Sequence, residues 1–307
     1  MKPIVIVGSI NMDLVSSVER APGPGETVVG RDFHLHSGGK GANQAVAVAR
    51  LGYPAVLLGK IGDDLFGSQL LETLKGYGVN TDEIETITGS SGTASIVVNR
   101  KGENSIIVTP AANLSVTPEY IESKLHVLRQ AGMILAQLEI PLETVHRLAH
   151  ICEELSIPLM LDPAPAQRLD AVTLSRINWF TPNQTEAQFY AEGTYASEYV
   201  LERFFQFGVR NVVLKKGSAG ALIASADGAR HPVEAFSVDV VDTTAAGDAF
   251  NGAFAVAVML GWDATLCGRY AAAAAAISVT RKGAQPSLPS EREVYSFLAE
   301  RHIEITQ

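Results

Sequence analysis

The sequence has few cysteines, few aromatic residues and no long hydrophobic run, and these absences exclude several classes of protein. Only two of the 307 residues are cysteines. Cys152 and Cys267 lie in unrelated surroundings, so they form neither a metal-binding spacing nor a disulfide framework. We expect both thiols to be buried. This cysteine usage is typical of a reducing compartment, which predicts a cytoplasmic protein.

Charge and hydropathy argue against nucleic-acid and membrane partners. The formal net charge is −9 and no block of consecutive Lys and Arg occurs, so general attraction to a polyanion is not expected. The longest apolar stretch, residues 252–261, is too short to span a bilayer. The opening MKPIVIVGSI lacks the longer apolar segment of a secretory signal. We therefore expect a protein with neither a nucleic-acid nor a membrane partner.

Short apolar segments alternate with helix-length amphipathic segments along most of the chain. The predicted strands are 4–8, 55–61, 133–138, 157–162, 177–182 and 211–216. The predicted helices are 42–52, 64–78, 118–130 and 142–155, and three more follow Ala246. Continuous apolar strands between helices predict a three-layer α/β fold with an open, mostly parallel sheet covered on both faces. Because no Pro-rich or charged linker divides the chain, residues 1–307 are predicted to form one domain.

Two regions break this alternation. Residues 12–36 contain a Pro/Gly turn between polar and β-branched segments, and residues 93–109 form a hairpin-like pair around Lys101 and Gly102. Together they predict a small separate β-sheet. Such a sheet could be a lid over the carboxyl ends of the main strands, where open α/β sheets bind ligands. The alternative is a pair of surface hairpins without that role.

Several common site motifs are absent. Lys40 is followed by Gly41 rather than Ser or Thr, so no Walker A loop exists, and no G-x-G-x-x-G follows the first strand. His146 and His150 are four residues apart on a predicted helix, a spacing that can bind zinc. No third ligand is suggested nearby, so a polar helix face explains them better. Metal binding by His34 and His36, on one face of a predicted strand, is likewise disfavoured.

The stretch VDVVDTTAAGDAF, residues 238–250, combines an expected anion site with a carboxylate. VDVV is predicted to be a strand and the segment after Ala246 a helix. Ala245, Ala246 and Gly247 then lie at the helix N-terminus, where free N–H groups and the helix dipole bind phosphate. Asp248 could accept a proton from a substrate hydroxyl while that turn holds a phosphoryl group. The alternative is a carboxylate that only complements the helix dipole.

Two further clusters suggest recognition of a polyhydroxy ligand. In GSINMD, Asn11 and Asp13 lie two residues apart after the first strand, and an amide–carboxylate pair can bind a vicinal diol. Glu139 ends another strand and could join the same cleft. In residues 36–52, glycines surround Lys40, and short amides follow. In isolation this segment could also be a simple glycine-rich connection.

Six segments occur in an order that resembles a known family. They are GSINMD, SGGKGANQA, DPAPA (162–166), TPNQTEA (181–187), DTTAAGDAF and VTRKGAQPS (279–287). They cover essentially the whole chain, which resembles the ribokinase-like, phosphofructokinase-B-type sugar kinases. The last segment resembles the ribokinase branch in particular. The resemblance implies ATP-dependent phosphorylation of D-ribose at O5, giving D-ribose 5-phosphate and ADP. The alternatives are a related furanose kinase acting on deoxyribose, fructose or a nucleoside, or a non-catalytic sugar sensor.

The resemblance also implies cofactors, an assembly and site residues. ATP, Mg²⁺ and activating K⁺ are expected, together with a homodimer formed through the β-sheet lid. The implied catalytic residues are the base Asp248 and the anion-hole residues Ala245, Ala246 and Gly247. The implied sugar-binding residues are Asn11, Asp13, Gly39, Lys40, Gly41, Asn43 and Glu139. The implied nucleotide-binding residues are Asn183, Glu186, Lys215, Gly217, Gly220 and Gly247. The implied monovalent-cation ligands, partly through main-chain carbonyls, are Asp242, Thr244, Ser278, Arg281, Gly283 and Ser287.

The chain also departs from the family pattern. Lys215 and Lys216 replace a Thr-Leu or similar pair before the nucleotide-loop glycine. Ala272 stands where a His or Asn often lies near adenine, and TPAAN, residues 109–113, replaces a turn that contains glycine. These differences affect the predicted contacts with adenine and sugar.

Overall fold

A computed structural model describes residues 1–193, 196–303 and 305 of the chain. Its strands are β1 (Ile4–Val7), β2 (Asn11–Val18), β3 (Gly30–Gly38), β4 (Ala55–Leu58), β5 (Lys60–Gly62), β6 (Glu85–Ile87), β7 (Gly92–Val98), β8 (Asn104–Thr109), β9 (Met133–Gln137), β10 (Leu159–Asp162), β11 (Trp179–Phe180), β12 (Asn211–Lys215), β13 (Ala221–Ser225) and β14 (Arg230–Val233). Its α-helices are α1 (Lys40–Arg50), α2 (Leu65–Gly76), α3 (Pro118–Ser123), α4 (Leu125–Leu128), α5 (Leu142–Leu155), α6 (Ala171–Ser175), α7 (Gln184–Tyr190), α8 (Ser197–Gln206), α9 (Ala246–Met259), α10 (Ala264–Val279) and α11 (Glu291–Ala299).

The main sheet has the strand order β14-β13-β12-β11-β10-β9-β1-β4. From β4 to β12 all neighbours are parallel, and the last two pairings are antiparallel. The predicted open, mostly parallel sheet is therefore confirmed. The antiparallel edge formed by β13 and β14 was not predicted, because short segments next to turns carry a weak periodic signal.

Each face of this sheet packs on helices. In β1, Ile4 and Ile6 point into one hydrophobic core, while Val5 and Val7 point into the other. Helices α1, α2, α9, α10 and α11 cover the first face, and α3 to α8 cover the second. Strands buried on both faces explain the continuous apolar runs in the sequence. The parallel strands consequently present their carboxyl ends along one edge, where β10 ends at Asp162 and β12 at Lys215.

A small four-stranded sheet stands apart from the main sheet, with the order β3-β2-β7-β8. Its strands come from the two regions that interrupt the βα alternation, so the prediction of a separate sheet is confirmed. Strand β2 pairs with β3 in antiparallel and with β7 in parallel orientation. Strand β8 is exposed along its whole length, including Ile107, which is 70% exposed.

The structure corrects local predictions of secondary structure. Residues 238–241, predicted to be a strand, have no strand partner, and Val241 makes only a single backbone hydrogen bond to Val279. β-Branched residues favour a strand only where a sheet edge is available to pair with them. The helix predicted over 118–130 is broken at Lys124 into α3 and α4. No helix among the described residues is both long and apolar enough to cross a bilayer.

Candidate active site

The N-terminus of α9 forms a tight turn that can receive an anion. Ala245 precedes the helix with φ 59° and ψ 9°, in the left-handed region. Ala246 N donates to Thr243 O, which closes the turn. The first N–H groups of a helix lack intrahelical partners and carry the positive end of the dipole. Ala245, Ala246 and Gly247 therefore lie at a helix start, as predicted, and the Ala246 N–H is already bonded within the turn. Lys215 Nζ lies nearby, 3.8 Å from where a Cβ on Gly247 would sit.

Asp248 lies in the first turn of α9 and is only 5% exposed. Its neighbours are polar rather than apolar. Asn43 Nδ2 donates to Asp248 Oδ2 over 3.0 Å, and Gln44 Nε2 donates to Oδ1 over 3.1 Å. Burial raises the pKa of Asp248 to about 6, against the opposing charge of Lys40. The carboxylate is therefore ionised at neutral pH and held in a fixed orientation, as a proton acceptor requires.

The predicted diol-binding pair lies at the beginning of β2. Asn11 Oδ1 accepts from Asn113 Nδ2 over 2.7 Å, which fixes the Asn11 amide. Asp13 lies against Gly38, where any Cβ would sit 2.2 Å from Asp13 Oδ2. Burial raises the pKa of Asp13 to about 7, with further contributions from the negative charges of Glu139 and Asp248. Because negative charge accumulates around Asp13, the site suits a ligand that supplies hydroxyl donors.

The glycine-rich connection brings the rest of the sugar set beside this pair. Gly39 has φ 88°, a conformation that side chains rarely adopt, and it separates β3 from α1 by one residue. Lys40 N donates to Glu139 Oε2 over 3.1 Å. Burial alone would lower the pKa of the Lys40 ammonium, but the carboxylates around it, those of Asp248, Asp162, Glu139 and Glu186, raise it above its ordinary value. The seven predicted sugar-binding residues thus lie around one centre.

Sequence reasoning gave no role to Gln137 or Asp162, which are buried beside Gln44, and it noted Asn113 only as part of TPAAN. Gln44 (1% exposed), one of the short amides noted in the sequence, also lies here and bonds to Asp248. Gln137 could have been found as the one polar residue in the apolar strand MILAQ. Asp162 belongs to a motif used for the resemblance, but its spacing alone assigned it no role. The contact of Asn113 with Asn11 was not predicted, because it is made through a short 3-10 helix, Ala111–Ser115.

A cleft of about 670 Å³ opens on the other side of the anion turn. It brings together four of the predicted nucleotide-binding residues, Lys215, Gly217, Gly220 and Gly247. Its remaining lining is largely apolar and includes Phe236, Val240, Phe250, Ala272 and Val279. Ala272 is part of this apolar lining, at the position where the sequence lacks the polar residue that the family often has near adenine. Such a mixture of apolar walls and few polar groups is typical of small-molecule sites.

The other two predicted nucleotide residues lie at the start of α7. Asn183 caps this helix, and its main chain and side chain bond reciprocally with Glu186. A backbone bridge joins Asn183 to Lys215, so this helix start abuts the cleft. Burial raises the pKa of Glu186, whereas the charge of Lys215 opposes that rise. The predicted set thus lies in one region, although Asn183 and Glu186 do not line the cleft itself.

The predicted cation ligands lie on the loop before α9, at the end of α10 and in the segment that follows α10. Asp242 accepts hydrogen bonds from Thr244 N and Thr244 Oγ1, at 2.9 and 2.6 Å, and from Gly283 N at 2.9 Å. Ser278 Oγ and Ser287 Oγ are 2.8 Å apart and buried. The Arg281 side chain pairs with Glu293, so Arg281 could contribute only its main chain.

Within residues 1–193, 196–303 and 305, no group of three or more His, Cys, Asp or Glu side chains could hold a metal ion. His146 instead lies near Asp170, and His150 near Glu154.

Comparison with known proteins agrees with this geometry. The chain matches the pfkB family of carbohydrate kinases over residues 1–291. It is 42% identical to a ribokinase of Bacillus subtilis over 304 residues, covering 97% of this chain and all of that protein. It is 36% identical to a deoxyribokinase of Salmonella typhi over 306 residues, covering 96% of this chain and 98% of that one. The structure of an Arabidopsis thaliana ribokinase complexed with ribose and ATP matches with TM-score 0.91 and 34% identity, covering 97% and 98%.

The chain therefore belongs to the pfkB family of carbohydrate kinases. The family predicted from the six sequence segments is confirmed, and so is the expectation of a phosphotransferase rather than a binding protein.

Proposed function

We propose that this protein transfers the γ-phosphoryl group of ATP to O5 of D-ribose, giving D-ribose 5-phosphate and ADP. One observation carries the proposal. The buried Asp248 lies in the first turn of α9 beside the predicted sugar-binding residues, and the start of the same helix lines the nucleotide cleft. The relatives named ribokinase, and the solved ribokinase complex with ribose and ATP, support the choice of substrates.

Sugar recognition rests on buried groups that still have bonding capacity. Asn43 Oδ1 is buried and, among the described residues, has no hydrogen-bond partner, so a sugar hydroxyl could donate to it. Asn11 and Asp13 offer donors and acceptors to the 2- and 3-hydroxyls. A sugar that lacks one of these hydroxyls would leave a buried polar group unpaired, which costs roughly 1–3 kcal/mol.

In the proposed reaction the chain mainly positions groups and stabilises charge. Asp248 accepts the proton of the 5-hydroxyl as the oxygen attacks phosphorus. The N–H groups of the turn before α9 stabilise the negative charge on the transferred phosphoryl oxygens. Lys215 Nζ, close to Gly247, adds a positive charge at the same point. Burial of Asp248 and Asn43 excludes water that would otherwise compete with the sugar.

Mg²⁺ and K⁺ fit the oxygen donors that the chain offers. Mg²⁺ keeps several waters and is bound mainly by substrate phosphates and one or two carboxylates. The buried Glu186 could hold one of those waters from the α7 side, with Asn183 fixing its orientation. For K⁺, the Asp242 carboxylate, the Ser287 hydroxyl and loop carbonyls form an all-oxygen set. When bound, Mg²⁺ would neutralise phosphate charge, and K⁺ would stabilise the loop before Ala245.

We further propose that residues 1–307 form one ribokinase-like domain, with the small sheet as its lid and as the interface of a homodimer in the cytoplasm. Asp13 belongs to this sheet, so the sheet contributes directly to the sugar centre. Phe33, Leu35, Ile106 and Ile107 leave apolar surface exposed on it. A second copy of the chain would cover such a surface.

The direct test is ADP formation by the purified protein with a panel of pentoses and hexoses, in the presence of Mg²⁺ and K⁺. We expect the highest kcat/KM with D-ribose and a product phosphorylated at O5. A higher kcat/KM with deoxyribose would support the deoxyribokinase alternative, to which one relative also points. ADP release no faster than the blank with every sugar would favour a non-catalytic sensor.

A further inference from the structure

Three side chains connect the catalytic base to the nucleotide cleft, and the proposed reaction gives no role to two of them, Gln44 and Asp162. Gln44 Nε2 donates both to Asp248 Oδ1 and to Asp162 Oδ2, each over 3.1 Å. Asp162 Oδ1 in turn accepts from Lys215 Nζ over 3.0 Å. These groups come from the start of α9, the first turn of α1 and the ends of β10 and β12. A continuous hydrogen-bonded chain therefore runs from the base to a lysine in the nucleotide cleft.

The direction of the Gln44 amide is determined by its surroundings. Gln44 Oε1 accepts from Gln137 Nε2 over 2.8 Å. The reversed amide would place Gln44 Oε1 against two carboxylates, and a carboxylate cannot donate a hydrogen bond when ionised. Gln137 itself is wholly buried and lies so close to Gly8 that any Cβ there would sit 2.1 Å from Gln137 Oε1. Gln44 is therefore held as a donor to both carboxylates.

Two buried carboxylates joined by one amide repel each other, and low dielectric strengthens the effect. Asp162 is 4% exposed, and its charge raises the pKa of Asp248. The Lys215 ammonium, however, forms an ion pair with Asp162 at 3.0 Å. The net charge of this ion pair is zero, so Lys215 offsets part of the effect of Asp162 on the base.

We propose that Gln44 is a positioning residue that aligns Asp248 against Asp162, and that Lys215 offsets the negative charge that Asp162 places beside the base. This deepens the proposed function and rests on it. The other charged groups that face Asp248 are Lys40 on α1 and Asp13 on β2, and Glu139 and Glu186 lie around Lys40. These charged groups are unchanged in every variant described below, so they do not cause differences between the variants.

The test compares the pH dependence of kcat at saturating ribose and ATP, where the sugar covers Asp13. Activity needs the Asp248 carboxylate, so it is lost as the pH falls through the pKa of this residue. Lys215→Met leaves the charge of Asp162 uncompensated, and Asp248 then retains its proton to higher pH. We expect the acid midpoint to rise by about one pH unit. Asp162→Asn removes the competing charge and should lower the midpoint by a similar amount.

The double variant Asp162→Asn/Lys215→Met removes both charges and leaves no unpaired ion. Its midpoint should lie between those of the single variants and close to that of the unmodified protein. Lys216→Met, which changes an adjacent lysine outside the cleft, is the matched control and should not shift the midpoint. Because a buried unpaired Asp162 can destabilise the fold, thermal unfolding of each variant is measured in parallel. If Lys215→Met does not fold, Asp162→Asn is compared with the double variant instead. Loss of the Lys215 charge should again raise the acid midpoint.

Gln44→Leu tests the positioning role directly. We expect a fall in kcat of about 10- to 100-fold with little change in KM for ribose, and the conservative Gln44→Asn should recover little because its amide is too short to bridge both carboxylates. Midpoints that do not move, or that move in the same direction in both single variants, overturn the inference while leaving the kinase activity intact. Absence of ADP formation in the unmodified protein would instead overturn the proposed function.

Discussion

The two halves of the proposed cleft are built differently. On the sugar side, Asp248, Asn43 and Gln44 are buried, and their hydrogen bonds fix them before any ligand arrives. On the nucleotide side the cleft is open and mostly apolar, and exposed residues such as Val240 and Thr243 border it. The chemistry needs fixed geometry and exclusion of water, whereas a nucleotide that enters and leaves each cycle needs an accessible surface. Changes on the sugar side should therefore affect the chemical step most strongly.

The largest effect is expected from Asp248→Asn. The amide keeps the shape of the side chain but cannot accept the hydroxyl proton, so kcat should fall by about 10²–10⁴-fold. Ribose should still bind, as measured by calorimetry. Asp239→Asn is the matched control, because Asp239 is exposed and outside the cleft. Turnover near that of the unmodified protein would remove Asp248 from the mechanism.

A smaller effect is expected from the diol-binding pair. The unmodified protein should prefer ribose to deoxyribose in kcat/KM by about 5- to 150-fold, which corresponds to roughly 1–3 kcal/mol for an unpaired buried group. Asn11→Ala should reduce that preference, mainly through a higher KM for ribose. A preference that survives this substitution would show that the 2-hydroxyl is recognised elsewhere.

The loop that carries Asp242 should respond to monovalent cations. We expect K⁺ to increase kcat severalfold over Na⁺ at equal ionic strength. In Asp242→Ala that difference should disappear, because the only carboxylate of the set is removed. Equal rates of the unmodified protein in the two salts would contradict the K⁺ proposal.

The smallest effect concerns the turn before α9. A left-handed conformation costs a residue with a Cβ roughly 1–2 kcal/mol, whereas glycine loses about 0.5–1 kcal/mol through entropy. Ala245→Gly should therefore raise the free energy of unfolding by up to about 1 kcal/mol, measured by urea denaturation. Ala246→Gly, at the first helical residue, should lower it instead. A loss of stability in both variants would argue against the left-handed conformation of Ala245.

Much of this molecule could be predicted from its sequence, and the remainder depends on contacts between distant segments. The apolar runs of β1, β9 and β10 predicted the parallel sheet correctly, because strands buried on both faces need apolar residues at successive positions. Asp248 was found because it follows small residues at a helix start. The contact of Asn113 with Asn11 could not be predicted, since the two residues meet only after segments 102 residues apart are folded together. For the same reason the strand predicted over 238–241 was wrong, because no sheet edge lies beside it.

Gly39 is the only residue between the last strand residue of the small sheet and the first residue of α1. The connection therefore has no slack. A shift of β3 would therefore move Lys40 and Asn43, and a sugar bound to Asn43 as proposed would restrain β3. Lengthening this junction by one residue should then uncouple sugar binding from the position of the small sheet.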